Sequence, residues 1–264
     1  MNARLAVSFA LYALWIAVTL LGATVLSDGK QAPLDEMVKN GIAWQFLAAI
    51  VLLIIFIIGN RWTDLGFNAP HALFRTLWFP IFWLLLITTL LLVTGLPPAH
   101  MIGFIVLNTL MVGVSEEVMF RGVLFRALLS NYRIWTAIIV SSLLFGAVHI
   151  LNVFATGNLS GAVLQSIPAA MSGVLFVAIV IRTGSIWPAI GYHAVWDCAL
   201  FLLVTSNANS GAEANPSALE SLGIGTLLLP IAMGVPNFLC GLILLRKVRN
   251  DTAAEPNASG PSAG

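Results

Sequence analysis

Charge is scarce in this sequence. Only 9% of its 264 residues are Asp, Glu, Lys or Arg, split almost evenly between twelve basic and eleven acidic side chains. Soluble domains carry about 25% charged residues, so water is not the main solvent of this chain. It also lacks the long basic stripe by which nucleic-acid-binding proteins meet phosphates, and nucleic acid is excluded as the expected partner. Cysteine is nearly absent. Cys198 and Cys240 stand alone inside apolar runs, without the spacing of a disulfide framework or a thiolate zinc site. Both read as small buried hydrophobes.

Apolar residues fill the space that charge leaves. They make up 59% of the chain, with a mean hydropathy of +0.96. Several runs approach the roughly 20 residues a helix needs to cross the hydrocarbon core, and only a helix can satisfy each run's backbone within itself. The expected architecture is all-α, a polytopic transmembrane helical bundle of eight spans at about 5–26, 43–59, 77–95, 101–120, 134–151, 163–181, 186–204 and 222–245. Breaks fall at Asp28-Gly29-Lys30 with Pro33, at Arg61 to Arg75, at Pro97-Pro98, at Asn131-Tyr132-Arg133, at Thr156-Gly157-Asn158, at Arg182-Thr183-Gly184 and at Asn207 to Asn215. The run from Leu5 to Leu26 is too long for a signal-peptide core and lacks a small-residue cleavage site, so it is read as a true span.

With the N-terminus in the cytoplasm, Arg4, Arg61, Arg75, Arg121, Arg126, Arg133, Arg182, Arg246, Lys247 and Arg249 all fall on the cytoplasmic side, leaving Lys30 and Lys39 outside. That distribution satisfies the positive-inside rule and puts both termini in the cytoplasm of a multi-pass protein of the plasma (cytoplasmic) membrane. Residues 1–249 form one membrane-embedded domain, with chemistry-bearing residues in a core at about 101–204. Residues 250–264, rich in Ala, Ser, Gly, Asn and Pro, read as a disordered cytoplasmic tail. The stretch Phe120 to Arg133 interleaves Val123, Leu124, Leu128 and Leu129 with Arg121, Arg126 and Arg133. It fits either an amphipathic helix at the interface or a straight continuation of the fourth span.

Against this apolar background a few ionisable residues stand out: Glu116, Glu117, His149, His193 and Asp197, with Arg121 at the edge of its span. A central Asp, Lys or Arg costs roughly 2.5–3.5 kcal/mol even on the lenient insertion scale, so these residues must face one another or water. Adjacent glutamates are about 100° apart on a helix and are expected to take different partners. Glu117 and Arg121, spaced i, i+4, suit a charge-assisted pair, which leaves Glu116 as the free carboxylate. His193 and Asp197 share a face by the same spacing. A hairpin turning near Tyr132-Arg133 brings Glu116 and His149 level, each about 16 residues from the turn. His193 lies nearer its own turn and calls for a kinked or tilted helix. Such a group can activate water, with a desolvated carboxylate as general base and imidazoles assisting. The same Glu116, His149, His193 and Asp197 could instead hold a divalent metal such as zinc, and spacing alone does not separate the two.

Three motifs are legible in these residues: Glu116-Glu117-Val-Met-Phe-Arg121 as EExxxR, Phe145-Gly-Ala-Val-His149 as FxxxH, and His193-Ala-Val-Trp-Asp197 as Hxxx[N/D]. In this order, each on an expected span, they resemble the CPBP (CAAX protease and bacteriocin-processing, or Abi) intramembrane endopeptidases over about residues 112–200. The resemblance implies an eight-helix enzyme of a family whose founding members remove the last three residues of prenylated CAAX proteins. It implies Glu116 as general base, His149 orienting the water, and His193 with the residue at Asp197 stabilising the oxyanion, with no cofactor required. Glu117, Arg121 and Phe145 would support the site. Asp197 stands where the family has asparagine. An ionised carboxylate cannot donate to an oxyanion, so Asp197 must be protonated, orient His193 or bind a metal, zinc among the options.

The expected function is hydrolysis of a peptide bond in a membrane-embedded or lipidated protein, with membrane lipids as the surroundings. Two other classes compete. A catalytically silent scaffold or peptide-toxin immunity protein would keep the fold, although retention of all three motifs argues against it. An ion-coupled transporter would also bury carboxylates and histidines, but the related halves with broken helices that such proteins use are not visible. Taken singly, His149 or His193 could be a helix-packing hydrogen bonder. Phe145 reads as packing beside His149, and Trp44, Trp135, Trp187 and Trp196 as interface anchors or bundle packing.

Overall fold

The computed structural model describes residues 2–209 and 224–250. The expected tail lies, from residue 251 on, outside the described residues, as do positions 210–215 of the last expected break and positions 222–223 of the eighth expected span. Helices follow one another along the chain: α1 (Ala3–Leu26), α2 (Leu34–Lys39), α3 (Trp44–Gly59), α4 (Leu73–Thr94), α5 (Ala99–Glu117), a π-helical stretch (Val118–Leu124), α6 (Phe125–Leu129), α7 (Ile134–Ile150), α8 (Val153–Thr156), α9 (Leu159–Thr183), α10 (Trp187–Asn209) and α11 (Ile224–Leu245). Among the described residues six helices are long and apolar enough to cross a membrane, and Trp44–Gly59 and Pro230–Leu245 are shorter apolar helices. The all-α polytopic bundle expected from hydropathy is what the chain forms.

The connecting segments gather at two ends. At one end Asn2 caps α1 through Leu5 N (3.0 Å) and reaches Asn131 and Ser130, while Arg4 pairs with Asp64 at 2.7 Å. Trp135 donates to Val248 O, and Arg182 to Leu244 O. At the other end Ala32 N donates to Ala155 O and Gln31 to Phe154 O, and Ser206 donates to Gly95 O. The buried Asn108 braces the segment before α3: its Nδ2 donates to Val38 O (2.8 Å) and Gly41 O (2.7 Å), and its Oδ1 accepts from Ala43 N (2.9 Å). Only Lys30 and Lys39 bring positive charge to that end.

Helices approach closely where side chains are small, as expected when packing rather than solvent exclusion drives association in lipid. A Cβ added at Gly146 on α7 would sit 2.6 Å from both Ala170 Cβ and Ser166 O of α9. One at Gly113 on α5 would sit 3.2 Å from Ala194 Cβ and Ile190 O of α10. The second contact brings together the helices that carry Glu116 and His193, and the first sets the helix of His149 against α9.

From Phe120 to Leu129 the chain continues α5 inward, not along the interface: Val123, Leu124, Phe125, Leu128 and Arg121 are all buried. The span thereby runs unbroken from Ala99 to Leu129. The π-helical stretch carries Arg121 within it. Such a stretch is rare and recurs at functional sites.

Candidate active site

Glu116 and Glu117 end α5, His149 ends α7, and His193 and Asp197 lie in the first half of α10. Glu116, Glu117, Arg121 and His193 are 7%, 0%, 1% and 3% exposed and so removed from bulk water, while the Asp197 side chain stays 25% exposed. Glu117 Oε1 lies 3.0 Å from Arg121 Nη1, the expected i, i+4 ion pair, and 2.8 Å from His193 Nδ1. His193 Nε2, on the other edge of the ring, lies 3.3 Å from Asp197 Oδ2 and 3.8 Å from Glu116 Oε2. A carboxylate can only accept, so His193 Nδ1 donates to Glu117.

The adjacent glutamates lie on opposite edges of one imidazole: Glu117 is bonded to Nδ1, whereas Glu116 comes to 3.8 Å of Nε2 without a hydrogen bond. The depth of His193 is set where α10 begins. The turn before α10 is itself buried: Thr183, Ser185 and Ile186 have no exposure. The segment before α4 covers it, with Gly66 O accepting from Ile186 N, Asn68 O from Ser185 Oγ, and His71 N donating to Thr183 O. The helix therefore starts inside the bundle, and His193 arrives level with Glu116.

Arg121 is held in an aromatic box. Its Cζ lies 4.1 Å from the Phe145 ring centroid, 4.8 Å from Phe176 and 5.8 Å from Phe120, close enough for cation–π attraction that strengthens where water is excluded. Phe176 also stacks on His193, centroids 4.8 Å apart at 19°. Phe145 meets His149 edge-on at 5.0 Å, and its carbonyl lies 2.7 Å from His149 Nδ1. Because a carbonyl only accepts, Nδ1 carries the proton and His149 Nε2 is left with its lone pair. Phe145 is thus a packing residue that fixes both Arg121 and His149, as its motif position suggested.

Glu116, His149 and Asp197 line a cavity of about 150 Å³ together with Trp15, Asn152 and Gln165. Glu116 Oε2 has no hydrogen-bond partner among the described residues, so a water in the cavity could take it. Among the described residues no group of three or more His, Cys, Asp or Glu is placed to hold a metal ion. No step below is routed through a metal.

Four neighbours escaped the sequence reading. Phe176 is one apolar residue among many in its span, and nothing in its spacing marks it. Trp15 donates from Nε1 to Ser115 Oγ at 2.8 Å, bracing the residue before Glu116. Asn152, bonded at 2.9 Å to Gln165 Oε1, lies one residue past the expected fifth span and carries no charge to mark it. Uncharged Asn108 drew no notice, although a buried amide in a span is as much in need of partners as a charge.

Residues 98–199 match the family model described as Type II CAAX prenyl endopeptidase Rce1-like. That segment contains all three motifs and agrees with the CAAX protease family that they resemble. No curated protein and no solved structure matches the chain significantly.

Proposed function

We propose that this multi-pass membrane protein, of the CAAX protease type over residues 98–199, hydrolyses a peptide bond in a membrane-embedded or lipidated substrate, with Glu116 activating the water. The observation that carries this reading is Glu116 Oε2, without a hydrogen-bond partner among the described residues, beside His149 and Asp197 in one cavity. A carboxylate whose neighbour Glu117 already neutralises Arg121 is free to act as a base.

In the proposed reaction Glu116 takes one proton from water while His149 Nε2 accepts a hydrogen bond from the same water and aims it. The hydroxide oxygen bonds to the scissile carbonyl carbon, and the carbonyl oxygen becomes an oxyanion. His193, in its doubly protonated form, turns its single Nε2–H from Asp197 Oδ2, 3.3 Å away, to that oxygen, while Glu117 holds the other edge of the ring through Nδ1. On this account Asp197 orients His193 and does not itself donate. Collapse of the tetrahedral intermediate breaks the C–N bond, and the proton held by Glu116 passes to the leaving amine. Preorganised charge among largely buried groups makes these contacts stronger than in water.

The test is incubation of detergent-purified protein with a panel of lipidated and transmembrane peptides, with mass spectrometry of the new termini, run with and without a strong zinc chelator. New termini at one position, unchanged by chelator, support the proposal. Cleavage lost under chelator assigns the water to a metal, and an uncut panel favours a scaffold.

A further inference from the structure

The cavity at Glu116 continues into a second one of about 390 Å³. Leu34, Asn152, Gln165 and Phe201 line both, so the two are one cleft. Its inner part is lined in ascending order by Glu116, Val112 and Thr109 of α5 and by Trp15, Thr19 and Ala23 of α1. Its outer part is lined by Pro33, Leu34 and Asp35 before and on α2, by Thr156 and Asn158, and by Gly161 at the start of α9. Pro33 and Asn158 are exposed. All of these rim residues lie at the end of the bundle where residues 31–32 meet residues 154–155. Arg4, Arg61, Arg133, Arg182, Arg246, Lys247 and Arg249 lie at the opposite end. Positive charge flanking spans stays in the cytoplasm, which puts the mouth of the cleft on the other side of the membrane.

We infer that substrate reaches Glu116 from the extracytoplasmic face, through the cleft between the start of α2 and the start of α9. The substrate class is then a membrane-anchored or exported peptide that presents its scissile bond on that face, not a C-terminal tail held in the cytoplasm. Counting 1.5 Å per residue from Ala99 puts Glu116 roughly 25 Å along its span, so an extended segment of about eight residues reaches it from the rim. The mouth also suits a peptide backbone chemically. Among the described residues the side-chain amides of Asn152 and Gln165 bond to each other through one donor and one acceptor, and their remaining amide capacity is available to an extended strand. This inference rests on the peptidase reading above for what the cleft admits, but not for where it opens.

Two measurements on the full-length protein separate those parts. Ser160→Cys beside the rim and Thr63→Cys at the other end are both exposed positions. A membrane-impermeant maleimide added to intact cells is expected to label Ser160→Cys and to spare Thr63→Cys until the membrane is permeabilised, with wild type as background for Cys198 and Cys240. The reverse pattern overturns the inference whether or not the protein cleaves anything. The same Ser160→Cys protein, whose substitution lies beside the rim and lines neither cavity, is expected to cleave a reporter peptide normally until a bulky impermeant thiol reagent is added from outside, and then to lose at least tenfold in rate. Full activity after complete modification overturns the route while leaving the peptidase reading intact.

Discussion

Replacing Arg121 by Ala probes the central ion pair of the site most directly for stability. Glu117 has no exposure, and its Oε1 is 3.0 Å from the guanidinium. Removing one member of such a pair strands the other charge, at about 3–5 kcal/mol. His193 Nδ1 remains at 2.8 Å on the same oxygen and compensates part of that, which favours the lower end, about 3 kcal/mol. The cation–π contacts with Phe145 and Phe176 add roughly 1–2 kcal/mol in a desolvated setting. The expected loss is therefore on the order of 4 kcal/mol. Denaturant unfolding in mild detergent is the assay, compared across Arg121→Ala, Glu117→Gln and the double variant. A neutral amide needs no counter-charge, so the double variant should be at least 1 kcal/mol more stable than the sum of the two single losses predicts. Arg121→Lys should fall between wild type and Arg121→Ala, because it keeps the charge and loses the planar stack. An Arg121→Ala protein that unfolds within 0.5 kcal/mol of wild type, or perfect additivity in the cycle, would refute the reasoning.

Other perturbations test other layers. Gly146→Val should cost about 1–3 kcal/mol by overpacking, since even its Cβ would meet Ala170 and Ser166 at 2.6 Å, whereas Gly103→Val, with nothing within 4 Å, should unfold like wild type. Asn108→Leu breaks three bonds to residues 38–43 and should cost about 1–3 kcal/mol per group left unsatisfied, with faster proteolysis in that segment as the readout. The Arg4–Asp64 pair gives a pH signature. Arg4 beside Asp64 holds its carboxyl below the ordinary 3.8, so the pair's contribution is fully present above about pH 4 and fades as pH falls through the lowered value. The pair is largely exposed, so the effect is within about 1 kcal/mol, and Asp64→Asn should remove it from an acid titration of stability.

The bundle was legible in the sequence because lipid imposes one simple rule, a run of apolar residues long enough to span. That rule found even the short α3 by its flanking polar breaks. The i, i+4 logic found the Glu117–Arg121 pair, since both members ride one helix and their separation is fixed locally. It failed where geometry depends on a second element. That Glu116 and Glu117 converge on His193 follows from the two nitrogens of a ring delivered by α10, and helix angle alone does not hold that information. The depth of His193 likewise depended on a buried turn covered by the segment before α4, a tertiary event that makes Thr183, Ser185 and Ile186 inaccessible. Phe176, apolar in an apolar span, had no local contrast to reveal it. Asn108 and Asn152 did have such contrast, and a survey of uncharged amides as well as charges would have found the first.

The most direct test of the central claim is the rate of peptide cleavage by Glu116→Gln against wild type, with unfolding stability measured on the same samples. The substitution removes the base and changes side-chain volume very little. The account predicts a protein as stable as wild type within about 1 kcal/mol and a rate lower by at least 10²-fold, the scale of a lost general base. A stable Glu116→Gln protein that cleaves at a rate near wild type would contradict it.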